Sequence, residues 1–321
     1  MLIEQQRAVP DESGLYIFAR HHVDSVYQID SVYAYGGSMV LGVALALGSA
    51  IAHAGWNTTA KRTATEGLPA LWASSLAAFV LVAPLAIGHA GAAAGRLMLL
   101  TPISTLLHTA YAVCLQRAYK RFDVGQIYPL SRGLAPVLVA FAGAVALGQW
   151  LRAPEWAAVL LLAAAVALLM GEHAKPGEAV AGPGRAVLWS VAIAGTIAAY
   201  TTFDGFAVVE LGADPLFFYA FGALLQLVLL TVLMRRRLPE GVAQFRRRPA
   251  AIGLLAVLIP LSYLLGLFAT LHAPLSLVAA LRSSSLLWAG LIAFLVLREP
   301  LGPRRAGATL LAAAAVVTML T

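Results

Sequence analysis

Cysteine is nearly absent: Cys114 is the only one in 321 residues, so disulfide frameworks and cysteine metal clusters are excluded. Charge is scarce too. Only 12% of the residues are charged and 60% are hydrophobic, against roughly 25% charged in an ordinary soluble domain. The mean hydropathy is +0.82. Enzyme signatures are missing as well: the chain has no HExxH, no GxSxG elbow, no P-loop lysine and no carboxylate cluster suited to a metal. These absences predict no enzymatic activity, no cofactor and no metal, and they exclude ATP-driven transport by this chain alone. The alternating ten-residue segments of a membrane β-barrel do not occur either.

What is present is a series of apolar runs of roughly 17–25 residues, the length that crosses a hydrocarbon core as helix. The spans are predicted at about 39–60, 68–89, 97–116, 124–147, 154–171, 186–209, 214–234, 250–271, 274–297 and 303–320. The expected fold class is thus an all-α polytopic membrane protein of ten transmembrane helices. Short connections carry turn residues such as Asp214-Pro215 and Ala273-Pro274, and Arg235–Pro249 is read as a longer loop. Residues 1–38 are polar and lack the basic start and apolar core of a signal peptide. Met39, where the apolar region opens, is read as the natural start, with an extramembrane tail as the alternative.

The net charge of +7 is distributed by topology rather than as a nucleic-acid patch. Sixteen basic residues fall in alternate loops, among them Lys61-Arg62, Arg235-Arg236-Arg237 and Arg246-Arg247-Arg248. Only Arg96 and Arg152 fall in the remaining connections. The positive-inside rule then puts the sixteen in the cytoplasm and both termini on the other side.

Arginine inside apolar runs is the feature that needs an explanation. Arg132 stands in "YPLSRGLAP" and Arg282 in "VAALRSSSLLWAGL", 150 positions apart. A gapless match at that offset runs on through Leu151 and Leu301. Earlier in each half, "HAGWN" (53–57) aligns with "YTTFD" (200–204), pairing His53 with Tyr200, Trp56 with Phe203 and Asn57 with Asp204. The chain is thus read as two five-helix repeats, 39–171 and 186–321, joined by a linker at 172–185. An odd number of spans per repeat inverts the second half, an architecture associated with secondary carriers whose substrate sits between the halves.

These stretches, "HAGWNTTAK", "YPLSRGLAP", "AAYTTFDG" and "VAALRSSSLLWAGL", together resemble the drug/metabolite transporter superfamily in its ten-helix EamA-type members, over essentially all of 39–321. The resemblance implies an inner-membrane carrier of small metabolites, often an exporter, working without ATP and coupled to protons. The chain departs from the pattern in two places. Ser283-Ser284 replace an acid and a threonine after Arg282, and Gly148-Gln149 replaces a Gly-Glu pair. Many relatives also have cytoplasmic termini, the reverse of what the loop charges here predict.

The two arginines are the candidate substrate ligands, each offering a guanidinium fork to an anion. The bland alternative is a structural tie to a helix end or buried acid. Asp204, the acid deepest in a span, is the candidate coupling carboxylate or a counter-ion for an arginine. His53, Trp56 and Asn57 share a helix face, as do Tyr200, Phe203 and Asp204. Those two faces are read as cavity walls. Tyr128, Ser283 and Trp288 complete the set, with Tyr111, Tyr263, Ser284 and Ser285 as weaker members, and His108 is read as a packing residue. The expected function is secondary transport of a small anionic or zwitterionic solute through the lipid bilayer, with protons as the coupling ion. The competing readings are export of cationic or amphipathic drugs and a non-transporting membrane sensor or scaffold. No nucleic-acid partner is expected, and the sequence is silent on oligomeric state.

Overall fold

The computed structural model describes residues 36–63, 67–89, 94–119, 122, 124–168, 183–285, 287, 288, 291 and 302–320. The predicted tail up to residue 35 and most of the linker lie outside them. Among the described residues the secondary structure is helical, in eleven α-helices. They are α1 (Gly36–Thr63), α2 (Leu68–Ala86), α3 (Ala94–Tyr119), α4 (Val124–Leu147), α5 (Ala153–Leu168), α6 (Pro183–Val209), α7 (Pro215–Leu233), α8 (Leu238–Arg247), α9 (Pro249–Thr270), α10 (Leu275–Ser283) and α11 (Pro303–Leu320).

A helix lies in each of the ten apolar stretches. Among the described residues, six regions are long and apolar enough to cross a membrane: Met39–Ala60, Leu68–His89, Leu130–Leu147, Gly184–Val209, Pro215–Leu233 and Pro249–Thr270. The architecture fits an all-α membrane protein with several spans. The other helices fall short for identifiable reasons. α3 carries Thr101, Ser104, Thr105, His108 and Thr109, which lower its hydropathy. α5 is 16 residues long and α10 only nine. The eleventh helix, α8, occupies the stretch read from sequence as a loop. Its polar composition hid it from a search for apolar runs.

Helix ends are closed by side chains. Asp214 caps α7 by accepting from the backbone N–H groups of Leu216 at 3.0 Å and Phe217 at 2.9 Å, with Pro215 at the first helical position. His89 Nδ1 approaches the same carboxylate at 2.9 Å, tying the end of the second helix to the start of the seventh. Glu155 accepts from the Arg152 N–H at 2.7 Å and from its guanidinium at 2.9 and 3.1 Å, which lets a carboxylate sit buried at the head of α5.

Lipid gives helices no hydrophobic reason to associate, so close packing and interhelical hydrogen bonds must do it. The α1–α9 contact shows both. Gly48 and Gly55 on α1 face Leu265 and Leu258 on α9. Between them Ser49 Oγ donates to the Ser262 carbonyl, and Ser262 Oγ donates back to the Ser49 carbonyl at 3.0 Å. Around this seam Ala46, Ala269, Leu277, Leu281 and Ala315 form a buried cluster that draws in α10, α5 and α11. A second cluster, with Ile127, Ala135, Ile193 and Ile197, joins α4 to α6 and α3.

Gly42 marks the tightest point, since a Cβ there would stand 2.7 Å from the Ala273 Cβ and 3.0 Å from the backbone carbon of His272. Gly42→Ala is therefore expected to destabilise the detergent-solubilised protein by about 1–3 kcal/mol, the usual cost of overpacking. Gly143→Ala, with nothing within 4 Å of its Cβ, is expected to melt at or slightly above wild type. Equal melting temperatures for the two variants would contradict the packing argument.

Candidate functional site

A cavity of about 300 Å³ lies between α1, α2, α3, α7 and α9, with single side chains entering from α4, α6 and α10. Each main wall is a stripe at helical spacing. α2 contributes Leu71, Ser74, Ser75 and Ala78, and α3 contributes Thr101, Ser104, Thr105 and His108. From α7 come Tyr219, Gly222, Ala223 and Gln226, and from α9 come Ile259, Ser262 and Tyr263. Positions i, i+3, i+4 and i+7 face one way on a helix, so each stripe turns one continuous face inward. The lining mixes hydroxyls and aromatics with aliphatic surface, which suits a small organic ligand. Many hydroxyls are already engaged. Thr105 donates to the Thr101 carbonyl, Ser74 to that of Leu71 and Ser104 to Asp204.

Of the main candidates from sequence, His53, Trp56, Arg132, Tyr200 and Arg282 line this cavity, as do the weaker candidates Tyr111 and Tyr263. Four others do not. Asn57, Phe203 and Trp288 are half-buried outside it, and Ser283 is buried with its Oγ donating to the Ala279 carbonyl of its own helix at 3.1 Å. The side chain of Tyr128 lies outside the described residues. Of the three aligned pairs, both His53 and Tyr200 line the cavity, Trp56 does so without Phe203, and neither Asn57 nor Asp204 does.

The two arginines are held differently. Arg132, 8% exposed, sits within the unbroken helix α4. Its Nη2 lies 3.2 Å from His53 Nε2 and 3.5 Å from the Tyr111 hydroxyl. Arginine only donates, so His53 Nε2 accepts, and the imidazole is assigned as neutral with its proton on Nδ1. Trp56 packs against that ring with centroids 4.7 Å apart. Arg282 instead stands in the last turn of α10, where regular helix ends at Ser283. The next backbone bonds, Ser284 N to Leu281 O at 3.1 Å and Leu287 N to Ser284 O at 2.8 Å, are tighter three-residue turns. Its guanidinium lies against Gly266, where a Cβ would be 3.0 Å from both Cζ and Nε. Its Nε is buried and has no hydrogen-bond partner among the described residues.

The helix carrying Arg282 is positioned by Gln149. Gly148, at φ 63°, turns the chain sharply after α4, in the left-handed conformation that glycine adopts without strain. The Gln149 Oε1 then accepts from the Leu275 N–H at the head of α10 at 2.9 Å. The Gly148-Gln149 pair thus links the end of one arginine helix to the beginning of the other.

Asp204 corrects the sequence expectation most clearly. Of its two expected roles, coupling carboxylate or counter-ion to an arginine, the second does not match its partners. Its donors are instead Ser104 Oγ at 2.6 Å on Oδ1 and Tyr263 OH at 2.6 Å on Oδ2, with His108 Nε2 2.9 Å from Oδ2. Asp204 is 3% exposed and is absent from the lining of the large cavity. It borders a separate space of about 20 Å³ together with Tyr200, Tyr263, Gly266 and Arg282. His108, read from sequence as packing, lines the large cavity, and Tyr200, Tyr263 and Arg282 border both spaces. His108 touches the carboxylate on one side and stacks on Tyr200 at 4.1 Å on the other. The missed signal was the polar period of "TPISTLLHTAY", which places Thr101, Ser104, Thr105 and His108 on one face of α3.

No family model matches the sequence, and neither does any curated protein. A solved crystal structure shares the fold, with a TM-score of 0.66 at 18% identity over 88% of this chain and 95% of the other. At that identity the likeness extends to architecture alone.

Because Tyr263 donates to a buried carboxylate, Tyr263→Phe is expected to lower stability by roughly 1.5–3 kcal/mol, the range for hydrogen bonds to charged groups. Tyr219→Phe removes a hydroxyl that has no hydrogen bond among the described residues and serves as the comparison. Thermal melting in detergent checks both, and a Tyr263→Phe protein that melts with Tyr219→Phe would rule out the Asp204 network as a structural element.

Proposed function

We propose that the chain is a secondary carrier, an exporter in the inner membrane, that moves a small anionic or zwitterionic organic solute by alternating access around the central cavity. One observation carries the solute class. Arg282 reaches the cavity with a buried Nε that has no partner among the described residues, while Asp204, which borders the same small space, is already taken by three other groups. Among the described residues, a cationic solute would find two guanidinium groups in the cavity wall and no carboxylate.

In this reading the protein has ten spans in two inverted repeats and belongs with EamA-type members of the drug/metabolite transporter superfamily, with both termini outside the cytoplasm. The helix neighbours support the two-fold relation. Exchanging α1 with α6, α2 with α7, α3 with α9, α4 with α10 and α5 with α11 turns the α1–α9 contact into α6–α3 and α2–α9 into α7–α3. The contacts α2–α7, α4–α10 and α5–α11 map onto themselves, and all of these pairs occur. The short helices α5 and α10 count as spans here because each has a longer counterpart in the repeat, α11 and α4 respectively. Asp204 serves as the proton-coupling carboxylate.

A thermal-shift screen against carboxylates, phosphonates, amino acids and lipophilic cations tests the reading. A ligand at a hundred times its Kd stabilises by about 2.7 kcal/mol. The binder is expected among the anions or zwitterions. Arg282→Ala is expected to weaken it by roughly ten- to a hundred-fold, the equivalent of one or two charge-assisted hydrogen bonds. Arg132→Ala acts less directly, through His53 and Tyr111. A cation whose binding survives Arg282→Ala but fails in Asp204→Asn would overturn the anion reading in favour of drug export.

Coupling has its own readout. In proteoliposomes, Asp204→Asn is expected to exchange labelled solute at near wild-type rate yet fail to concentrate it against a pH gradient. Uphill transport retained in that variant would exclude Asp204 as the coupling group.

A further inference from the structure

Helix α8 has no part in the cavity, yet it is the most polar and most basic element of the protein. Three arginines precede it, Arg235, Arg236 and Arg237, and three close it, Arg246, Arg247 and Arg248. All six are exposed. The single acid among residues 235–248, Glu240, is taken by Arg237, which donates from Nε at 2.9 Å and from Nη2 at 2.6 Å. That bond holds the Glu240 carboxyl below its usual range. The side chains of Arg235, Arg236, Arg246 and Arg247 make no hydrogen bond or ion pair with other described residues.

The helix is anchored on one face only. Gly241 lies against the Trp72 ring so closely that a Cβ would be 2.6 Å from it, and Leu238 packs into the cluster of Trp72, Leu230, Met234 and Ile252. Trp72 itself is fixed by donating to Thr231 Oγ1 at 2.9 Å. The outer flank of that same apolar face presents Val242, 57% exposed, and Phe245, 37% exposed. α8 connects α7 to α9, both long and apolar enough to cross a membrane, so it lies where those spans leave the hydrocarbon. Exposed Val232 and Leu233 at the end of α7 continue the apolar surface towards it. A short helix with apolar side chains outward and arginines at both ends has the build of an interfacial element.

We propose that α8 and its flanking arginines form a docking surface for anionic phospholipid headgroups, with Val242 and Phe245 entering the interface and the guanidinium groups engaging the phosphodiesters. Charge complementarity selects this occupant. Six cations and one neutralised acid lie along a helix about 15 Å long, and the membrane surface beside them is negatively charged where anionic lipids are present. Arginine matches a phosphate with two parallel donors. The proposal is independent of what the cavity carries.

The test uses the purified full-length chain in phosphatidylcholine bilayers containing trace spin-labelled phosphatidylglycerol or phosphatidylcholine. The fraction of motionally restricted label reports the relative association of each lipid. Wild type is expected to prefer phosphatidylglycerol several-fold at low salt and to lose most of that preference at 1 M salt, where the screening length is roughly 3 Å. Substituting Arg235, Arg236, Arg246 and Arg247 together by Gln is expected to abolish the preference without changing the melting temperature. If that protein melts early, the double variants R235Q/R236Q and R246Q/R247Q replace it, each expected to lose part of the preference. Glu240→Gln acts in the opposite direction, because it releases Arg237, and is expected to raise the preference. R117Q/R185Q, which removes exposed arginines elsewhere, is expected to leave it intact. An undiminished preference in the arginine variants, or an equal loss in R117Q/R185Q, would overturn the proposal. Displacement of the labelled lipid by inorganic phosphate beyond that by chloride at equal ionic strength would also overturn it, by pointing to a soluble anion.

Discussion

A polar group held inside an apolar helix bundle must meet another polar group or a water-filled space, because lipid supplies neither. Nearly every interior feature of this protein follows from that constraint. The reciprocal serine pair Ser49–Ser262 binds α1 to α9, and the Trp72 indole finds Thr231. Glu155 is buried beneath its own Arg152. Asp204 gathers three donors from α3 and α9. These hydrogen bonds work alongside close contacts of glycine, alanine and serine, and together they hold helices that have no solvent-driven reason to associate. The cavity is the other outlet that the constraint permits. It collects the polar faces of helices whose far sides are apolar.

Seen this way, the difference between the two arginines is informative. They occupy equivalent places in the sequence, yet Arg132 is enclosed by His53 and Tyr111 in an unbroken helix, whereas Arg282 stands where α10 loses regularity. On the Arg282 side Tyr200, aligned with His53, is stacked on His108 rather than hydrogen-bonded to the arginine. A protein built from two alike halves can hold only one of them in a given arrangement at a time if it is to present its cavity to one side. In the proposed inverted-repeat carrier, such a state would treat the matched arginines unequally. Gln149 couples the pair mechanically, since it joins the end of α4 to the head of α10.

Much of this was legible in the sequence where one physical signal dominated. Apolar run length located the helices, and the rarity of buried charge singled out Arg132, Arg282 and Asp204. The shared face of His53 and Trp56 reached the cavity as expected. Partner choice was not legible. Asp204 and its donors Ser104, His108 and Tyr263 are 100, 96 and 59 positions apart, and nothing local ties them together. Opposite charge suggested an arginine, but hydroxyls and an imidazole were nearer once α3 and α9 packed on α6. Helix α8 escaped for the reverse reason: its ten residues are locally amphipathic, yet their charge reads as a loop when only apolar length is counted. Asn57, Phe203, Ser283 and Trp288 failed as lining residues because equivalent positions in aligned sequences need not face the same space after a helix rotates or breaks.

The balance of charge in the interior bears on what the cavity accepts. Arg132 and Arg282 are cationic, Asp204 is anionic, and His53 is neutral by its hydrogen bond from Arg132, which leaves an excess of one positive charge around the cavity whenever His108 is neutral. Protonation of His108 or of Asp204 only increases that excess. A buried uncompensated charge is expensive, and an entering carboxylate or phosphonate would offset it, whereas an entering cation would enlarge it. Coupling to protons fits the same accounting. Each proton taken up beside Asp204 makes the interior more positive and strengthens its hold on an anion, so proton and anion would bind together and leave together. An exporter driven by an inward proton gradient needs the opposite sign of linkage, with proton and solute competing. Export of a purely anionic solute therefore sits uneasily with Asp204 as the sole coupling group. A zwitterion relieves the conflict only if its cationic end displaces one of the three donors that hold the Asp204 carboxylate, since that group lies outside the lining of the large cavity. That displacement is the step at which proton and solute would compete.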